Sequence, residues 1–411
     1  MADPRSRQII IAGAGMAGLT AALAFAARGF SVQLFERAAR LEEVGAGLQL
    51  SPNATRLLAR LGVIESLLPA AVKPEAVVLR DARSLAEIAR VPLGDAAEQR
   101  WKAPYLVVHR ADLQSVLLAR VEREPDIRLV TGATVRDVAV HRRGVTVAID
   151  HGSKPIEATG LLLVGADGVW SSIRGLAGEA GRSRFSGQIA WRTTIRAEGP
   201  AGEAFLAAAR PDVVTAFVHR GAHLIAYPVR GGAAVNLAAF APGPSLSASW
   251  AQKADAAELA SKLSDSPALT RLIAVAGPWT VWPLHTVDPA RAWTAPGGLA
   301  LVGDAAHALT PFAAQGAAMA IEDAVALASL VAGNPDDLPA ALATFERRRR
   351  ERLLKVARRG AFNRFVWHAS GPVALGRNLF LKMRSPERLA ADLDWLYGWD
   401  AEADTAVSHG N

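Results

Sequence analysis

The sequence contains no cysteine. Disulfide frameworks, thiolate metal sites and cysteine nucleophiles are therefore excluded, and a reducing, cytoplasmic location is the expectation. Long uninterrupted apolar runs are also missing, because the uncharged stretches near 232–251 and 305–321 are broken by Gly, Pro, Asn or Gln. We therefore expect neither a signal peptide nor a membrane span, and no membrane partner.

Charge of one sign is only mildly in excess, with 46 Lys and Arg against 39 Asp and Glu in 411 residues. The densest basic run, residues 347–352, is flanked by an apolar stripe made of Leu342, Phe345, Leu353, Leu354 and Val356. We interpret this run as the solvated face of a long helix. No interleaved aromatic residues or known reader motif accompany it, so we expect no nucleic-acid partner. The positive balance suits anionic cofactors and carboxylate substrates.

The first motif lies near the amino end, where an apolar run over residues 8–12 leads into a Gly-x-Gly-x-x-Gly pattern. In this pattern Gly13 makes the tight turn, Gly15 lets a pyrophosphate approach the backbone, and Gly18 lets helix and strand pack closely. The amino end of the helix, at Met16 and Ala17, favours a bound anion. The pattern therefore predicts a dinucleotide-binding loop.

A second strand ends in Glu36, 18 residues beyond Gly18, and Arg37 follows it. A carboxylate at this distance is placed to bind a ribose. The alternative is a glycine-rich turn that only saves space. Such a turn would explain the glycines but not the elements around them. Strand, loop, helix, strand and acid in this order favour the dinucleotide site, but NAD, NADP and FAD proteins all use the unit.

Two further segments offer cofactor contacts. Gly47 lies in a glycine-rich stretch, residues 43–53, that allows close backbone approach to whatever the first motif binds. Gln49 is either a polar contact or an exposed loop amide. Arg110 begins a helical pattern, where it either neutralises phosphate or is a surface arginine.

Two strand ends carry acids beside glycines. Asp167 follows a continuously apolar run at the carboxyl end of a predicted strand, where open α/β sheets bind ligands; a turn-forming role is the alternative. A later strand ends in Gly303-Asp304, and Gly316 begins the next long helix. A second helix amino end is therefore predicted to face a ligand.

Residues 185–283 consist of short apolar runs separated by Gly and Pro, which predicts an antiparallel sheet inserted into an α/β domain. His223 and Tyr227 share one face of a strand there, because strand side chains alternate. They either point into one cavity or extend their polar tips to the sheet surface. Arg192 either anchors a carboxylate or forms a surface ion pair.

The stretches at 13–18, 165–174 and 303–316, at these separations, resemble the single-component FAD-dependent aromatic hydroxylases. The most similar branch includes salicylate hydroxylase, 3-hydroxybenzoate 6-hydroxylase and 6-hydroxynicotinate 3-monooxygenase. The implied fold is α/β, a Rossmann-like FAD-binding domain with an inserted antiparallel β-sheet substrate domain and C-terminal helices. We assign residues 1–180 and 286–400 to the FAD-binding domain and its helices, 181–285 to the substrate domain, and 401–411 to a disordered tail.

The resemblance also implies roles for the residues singled out above. The first loop would hold the FAD pyrophosphate and Glu36 the adenosine ribose. Arg110 would contact the FAD phosphates, and Asp304 the ribityl and pyrophosphate region. The helix at Gly316 would face the pyrimidine edge of the flavin. The motif around Asp167 is associated with both FAD and NAD(P)H, and the single fingerprint makes NADH or NADPH a transient co-substrate.

The implied reaction uses NAD(P)H and O2 to hydroxylate a small phenolic or N-heteroaromatic acid through a C4a-hydroperoxyflavin. His223 and Tyr227 match the His-x-x-x-Tyr pair of the hydroxynicotinate branch and are the candidate catalytic residues, with His223 as base. Gln49, where relatives often carry histidine, and an apolar Phe312 beside the substrate predict a less polar pocket. A larger polycyclic or antibiotic-like substrate, or a flavin-free pyridine-nucleotide dehydrogenase, is the alternative. We expect a monomer or homodimer.

Overall fold

The computed structural model describes residues 7–41, 46–141, 144–152, 154–176, 183–245 and 252–406. The strands in chain order are β1 (Gln8–Ala12), β2 (Ser31–Glu36), β3 (Gly47–Leu50), β4 (Ala76–Asp81), β5 (Glu87–Pro92), β6 (Leu106–His109), β7 (Ile127–Thr131), β8 (Ala133–His141), β9 (Gly144–His151), β10 (Lys154–Gly160), β11 (Leu162–Gly165), β12 (Arg184–Arg196), β13 (Val214–His219), β14 (Ala222–Val229), β15 (Ala234–Pro242), β16 (Gln252–Ala254), β17 (Trp279–Thr286), β18 (Thr294–Ala295) and β19 (Leu299–Leu301).

The helices in chain order are α1 (Met16–Ala26), α2 (Pro52–Arg60), α3 (Ile64–Leu67), α4 (Asp95–Trp101), α5 (Arg110–Glu122), α6 (Ile173–Leu176), α7 (Gly199–Leu206), α8 (Ala256–Ser261), α9 (Pro267–Val275), α10 (Asp304–His307), α11 (Gly316–Gly333), α12 (Leu338–Trp367), α13 (Gly371–Lys382), α14 (Pro386–Ala391), α15 (Asp394–Tyr397) and α16 (Ala401–Ala406). Short 3₁₀ turns occupy Arg230–Gly232 and Pro311–Ala313.

The first sheet has the order β18-β19-β11-β1-β2-β7 and is parallel except for β18 at its edge. Its central strand β1 buries Ile9, Ile10 and Ile11 completely. Such a continuously apolar strand is typical of a parallel sheet that is covered on both faces. Helix α1 is buried along its whole length and packs against α11. The Rossmann-like part of the prediction is confirmed.

Strands β8, β9 and β10 form a small antiparallel meander. Val145, Val147 and Ile149 face the core from β9. Strand β7 closes the edge of the parallel sheet by pairing with β2. Residues 142–143, between β8 and β9, and the 43–45 part of the glycine-rich stretch lie outside the described residues.

The large sheet has the order β16-β17-β12-β15-β14-β13-β4-β5 and contains one parallel pair, β13 with β4. The assignment of residues 181–285 to this sheet is therefore incomplete, because β4 and β5 come from the preceding segment. Its side chains alternate between two cores. Leu224 and Ala226 pack under α7, α8 and α9, whereas Ile225 and Tyr227 face the FAD-binding domain. The face that carries Ile225 and Tyr227, called the second face below, is where a substrate site can form.

Helix α11 packs against α1, α12 and α16, whereas α13 and α14 pack against β5 at the edge of the large sheet. By length and composition α11 could cross a membrane, but 72% of it is buried inside the protein, as in a core helix. The predicted disordered tail is corrected in part, since Ala401–Ala406 forms α16. Glu402 in this helix forms ion pairs with Arg28 (2.5 Å) and Arg60 (2.7 Å). Residues 407–411 lie outside the described part of the chain.

Candidate active site

The first glycine loop has the geometry that its sequence predicts. Gly13 has a φ of +101°, and a Cβ there would lie 2.6 Å from the carbonyl oxygen of Ala166. A Cβ on Gly18 would lie 1.8 Å from the carbonyl oxygen of Gly13. A Cβ on Gly15 would meet no atom within 4 Å. Gly13 and Gly18 are therefore required by packing, whereas Gly15 leaves open space beside the backbone.

A cavity lies where this loop, the segment after β19 and the second face of the large sheet meet. Ten of the residues singled out in the sequence line it: Gly15, Met16, Ala17, Gly47, Gln49, Arg110, Arg192, Tyr227, Asp304 and Gly316. The structure therefore brings seven of the cofactor candidates and two of the substrate candidates together at one site. The cofactor candidates that do not line the cavity are Gly13, Gly18, Glu36, Arg37, Asp167 and Gly303.

Two helix amino ends reach this cavity. Helix α1 begins at Met16 and the 18-residue α11 begins at Gly316, and both residues line the cavity. The first N–H groups of a helix have no partner within the helix, and the helix dipole adds positive potential there. With the open backbone at Gly15 and the guanidinium of Arg110 at the start of α5, these groups fit an anionic dinucleotide such as FAD.

Glu36 lies at the end of β2 beside the glycine loop. Its carboxylate accepts hydrogen bonds from the backbone N–H of Ala14 (2.8 Å) and of Ala38 (2.9 Å). This places an acid next to the loop, as a ribose contact requires. Arg37, the following residue, is exposed. The cofactor roles of both residues stay predictions.

Asp167 forms its own turn. One carboxylate oxygen accepts hydrogen bonds from the backbone N–H of Ser172 (2.8 Å) and of Ile173 (3.2 Å), at the start of α6. Its neighbours Ala166 and Gly168 line the cavity, whereas Asp167 does not. The structure therefore supports the turn-forming alternative for the side chain, and the backbone of this loop faces the site.

A buried ion network supports the loop that follows β19, which contains Gly303 and Asp304. The Asp323 carboxylate accepts hydrogen bonds from the N–H of Gly303 (2.9 Å) and from Arg349 Nε (2.7 Å), and it lies 2.5 Å from His307 Nε2. Burial raises the pKa of Asp323, but His307 and Arg349 overcome this and lower it below its usual value. His307 therefore has a structural role, and Asp323 fixes the residue that precedes Asp304.

The same network reaches the start of α11. Glu322 bonds Arg349 (2.7 Å), Arg352 (3.0 Å) and Asn53 Nδ2 (2.7 Å), and Asn53 also donates to Gln315 Oε1 (3.2 Å). Gln315 is the residue just before α11.

The interpretation of residues 347–352 as a solvated face is therefore wrong for two members. Arg349 is only 2% exposed and Arg352 only 5%. Both lie at helical spacing from Phe345 and Val356 on the buried stripe. Adjacent acids in the otherwise apolar α11, Glu322 and Asp323, are the sequence signal that could have revealed this.

Arg192 projects from β12 into the substrate side of the cavity. Its strand neighbour across the sheet is Ala238, which pairs in turn with Ile225, so all three occupy one row. The guanidinium lies 5.9 Å from the ring centre of Trp282, and its buried Nε has no hydrogen-bond partner. Burial lowers the pKa of Arg192, and Tyr227 opposes this. A partly buried cation with an unused donor is suited to an anionic ligand.

Tyr227 lies two residues beyond Ile225 and lines the same cavity with Gln49. Burial raises its pKa, while Arg192 and a hydrogen bond with Gln49 act in the opposite direction. A Cβ on Gly47 would lie 2.5 Å from Asn236 Cγ and 2.6 Å from Tyr227 Cε2, and the Gly47 N–H donates to Asn236 Oδ1 (2.6 Å). Gly47 therefore lets strand β3 contact the large sheet directly.

His223 is on the same strand face as Tyr227 but is not among the residues that line the cavity. Its ring stacks on Phe240 at 4.9 Å, lies 5.3 Å from Phe312, and is 1% exposed. Burial, together with His368, lowers its pKa well below the usual value. Phe312, predicted to border the substrate, is also buried and covers His223 rather than lining the cavity. The structure thus separates the predicted base from the predicted hydrogen-bonding tyrosine.

Comparisons with known proteins identify the family of this chain. The profile of a family described as an FAD binding domain matches residues 6–359. The 3-hydroxybenzoate 6-hydroxylase of Polaromonas naphthalenivorans (strain CJ2) is 32% identical over 97% of each chain. The 6-hydroxynicotinate 3-monooxygenase of Bordetella bronchiseptica is 28% identical, again over 97% of each chain. The solved substrate complex of salicylate hydroxylase is similar with a TM-score of 0.82 at 25% identity, covering 99% of this chain and 98% of that one.

These similarities extend over nearly the whole chain. The family description names FAD, the cofactor that the glycine loops and helix amino ends fit. The chain therefore belongs to the FAD-dependent aromatic hydroxylases, and it is an FAD-dependent aromatic-ring monooxygenase that takes its reducing equivalents from NAD(P)H.

Proposed function

We propose that this enzyme hydroxylates a small aromatic acid that carries both a carboxylate and a ring hydroxyl, using NAD(P)H and O2. The observation that carries the proposal is that Arg192 and Tyr227, both from the large sheet, line the same cavity as Gly15 and Asp304. The substrates that give the three relatives their names, 3-hydroxybenzoate, 6-hydroxynicotinate and salicylate, each combine the same two groups.

The protein side of the reaction consists of binding, orientation and exclusion of water. Arg192 holds the carboxylate in a charge-assisted hydrogen bond, and Tyr227 contacts the ring hydroxyl. Ile225, Ala238 and Phe240 form the apolar wall against which the ring lies. When bound, FAD would accept the electrons of NAD(P)H and activate O2. Gly15, Arg110 and the start of α11 would hold its charged parts.

His223 does not line the cavity, and this affects its predicted role as the catalytic base. A buried imidazole whose pKa is lowered and whose Nδ1 is engaged by His368 is poorly suited to accept a substrate proton. His223 is better explained as part of the wall behind Phe240. Its catalytic role stays a prediction, which the matched variants His223→Asn and Tyr227→Phe test by their effects on hydroxylation and on flavin reduction.

A matched ligand series tests the proposed function. The purified flavoprotein is mixed with NADH or NADPH, and O2 uptake is followed with 3-hydroxybenzoate, 3-hydroxybenzamide, benzoate, and a polycyclic phenol that lacks a carboxylate. We expect the hydroxy acid to accelerate NAD(P)H oxidation and yield a product with one added oxygen. We expect the amide to be about 100-fold less efficient, as the loss of a buried ion pair implies. Equal or faster turnover of the polycyclic phenol would instead support the larger-substrate alternative.

A further inference from the structure

A second cavity lies beside the active-site cavity, on the side of the C-terminal helices. It has a volume of about 700 Å³, within the range of about 300–1,000 Å³ that is usual for small-molecule sites. Its lining comes mainly from α12, from the start of α13 and from the segment after α10. Neither the FAD loops nor the candidate substrate residues Arg192 and Tyr227 line this space, which we call the outer cavity.

The two cavities share a wall. Leu309 and Thr310 line both of them. Beyond these residues, Ala313 lines the outer cavity and Ala314 lines the active-site cavity. Ala314 has a φ of +51°, a left-handed conformation that is uncommon outside glycine and clusters at functional sites. We call residues 309–314 the partition. Because two of its residues reach both spaces, movement of their side chains is enough to connect the cavities.

The outer cavity carries positive charge. Arg364 and His368 are the titratable groups among its described lining residues, and residues 352–386 contain no Asp or Glu. Burial lowers the pKa of His368 to about 4, so Arg364 carries the charge at neutral pH. Arg364 lies on the exposed side of α12, 6.0 Å from the ring centre of Phe312, and no carboxylate in the described part of the chain forms an ion pair with it. A guanidinium in this state is suited to bind an anion.

The rest of the lining suits an aromatic ring. Phe365 and Val373 line the outer cavity and are 64% and 52% exposed, so its rim presents apolar surface to solvent. Ala357 and Ala361 lie one turn apart on α12, and their small side chains leave the space between the helices open. Apolar contact with a ring and a charge-assisted hydrogen bond from Arg364 together select a small aromatic carboxylate.

We propose that the outer cavity is a binding site for the aromatic acid substrate on its way to the flavin, in which Arg364 binds the carboxylate and the apolar rim contacts the ring. The identity of the ligand rests on the proposed function. The ring then passes the partition at Leu309 and Thr310, and Arg192 binds the carboxylate in the active-site cavity. Aromatic acids are thereby favoured over neutral aromatic compounds before they reach the flavin.

The first test counts the sites. The oxidised holoenzyme is dialysed to equilibrium against radiolabelled benzoate at millimolar concentrations. We expect two molecules bound per chain, with Arg364→Gln weakening one site about tenfold and Arg192→Gln weakening the other. Arg358→Gln removes the same charge from an exposed position on α12 that does not line the outer cavity, and should leave both sites within about twofold of wild type. Absence of a site that responds to Arg364→Gln more than to Arg358→Gln would overturn the proposal.

The second test examines the route. Ala361→Trp places a large side chain at the mouth of the outer cavity, at an exposed position that tolerates it. An obstacle on a route slows entry and exit equally, because the equilibrium constant does not depend on the path. We therefore expect 3-hydroxybenzoate to bind and leave about tenfold more slowly, followed by flavin absorbance in stopped flow, with its dissociation constant within about twofold of wild type. Unchanged rates would show that the outer cavity is not on the route.

Failure of the proposed function is seen separately. In that case no hydroxybenzoate accelerates NAD(P)H oxidation, while dialysis still counts a benzoate site that depends on Arg364.

Discussion

His223 and His368 share a hydrogen bond, with 2.9 Å between His223 Nδ1 and His368 Nε2. Burial is the main cause that lowers the pKa of both imidazoles, to about 4 for His368. In the unfolded chain each titrates near 6.5. Since the folded values lie below the unfolded ones, the unfolded chain binds more protons below pH 6.5. The stability that depends on these neutral rings is therefore complete above pH 6.5 and is lost as the pH falls towards 4.

The first prediction follows for His368→Gln, which can keep a hydrogen bond to His223 but does not titrate. We expect the free energy of unfolding to fall less steeply than in the wild type between pH 6.5 and 5, measured by urea denaturation of the flavoprotein. His151→Gln, at an exposed position on β9, is the control and should follow the wild-type curve. A His368→Gln curve parallel to the wild type would show that the pair is not a source of acid sensitivity.

The second prediction separates two glycines of the first loop. Gly18→Ala places a Cβ 1.8 Å from the backbone oxygen of Gly13, so we expect the FAD-free protein to lose about 1–3 kcal/mol of stability. Gly15→Ala meets no atom and has an ordinary φ of −76°, so stability should change by less than about 0.5 kcal/mol. The affinity for FAD, measured by fluorescence titration, should nevertheless fall at least about tenfold in Gly15→Ala. Equal stability losses in the two variants would contradict this assignment.

The third prediction concerns the buried ion network. Arg349→Leu leaves Glu322 and Asp323 buried with one cation fewer, so we expect a loss of about 3–5 kcal/mol in the free energy of unfolding. Arg347→Leu, two positions away and exposed, should change stability by less than about 0.5 kcal/mol. Urea denaturation of both flavoproteins makes the comparison. Similar small losses would mean that the two acids are solvated in solution.

The fourth prediction tests the carboxylate anchor. Arg192→Gln removes the cation from the cavity wall, so we expect KM for a hydroxybenzoate to rise about 100-fold. The matching hydroxybenzamide should be affected far less, because it presents no charge. Arg184→Gln lies on the same strand at an exposed position and serves as the control. Steady-state kinetics with both ligands decide the question, and an equal effect on acid and amide would remove the proposed ion pair.

Local periodicity was sufficient to place a large part of the site. Gly13, Gly18 and Arg110 follow from their positions at strand and helix ends, and Tyr227 follows from strand alternation. His223 shows where such reasoning stops. Alternation assigns it to the correct face, but the residue that seals it there, His368, lies 145 positions further along the chain. No sequence pattern within β14 reveals that His368 covers His223.

The same limit applies to charge. A run of arginines resembles a solvated helix face when α12 is considered alone, and only the acids of α11 make Arg349 a buried residue. The hairpin β4–β5 joins the substrate sheet because β13 offers it an edge, and that pairing spans more than a hundred residues. Contacts between distant segments, rather than local propensity, decide both cases.

The link from Asp323 to Arg349 has a consequence for biosynthesis. When residues 1–315 have been synthesised, the glycine fingerprint is complete. Asp323 and Arg349, which hold Gly303 in place, have not yet been translated. We therefore expect flavin to bind only late in the synthesis of the chain. Truncated chains that stop before Arg349 should emerge colourless, however well their amino-terminal sheet has formed.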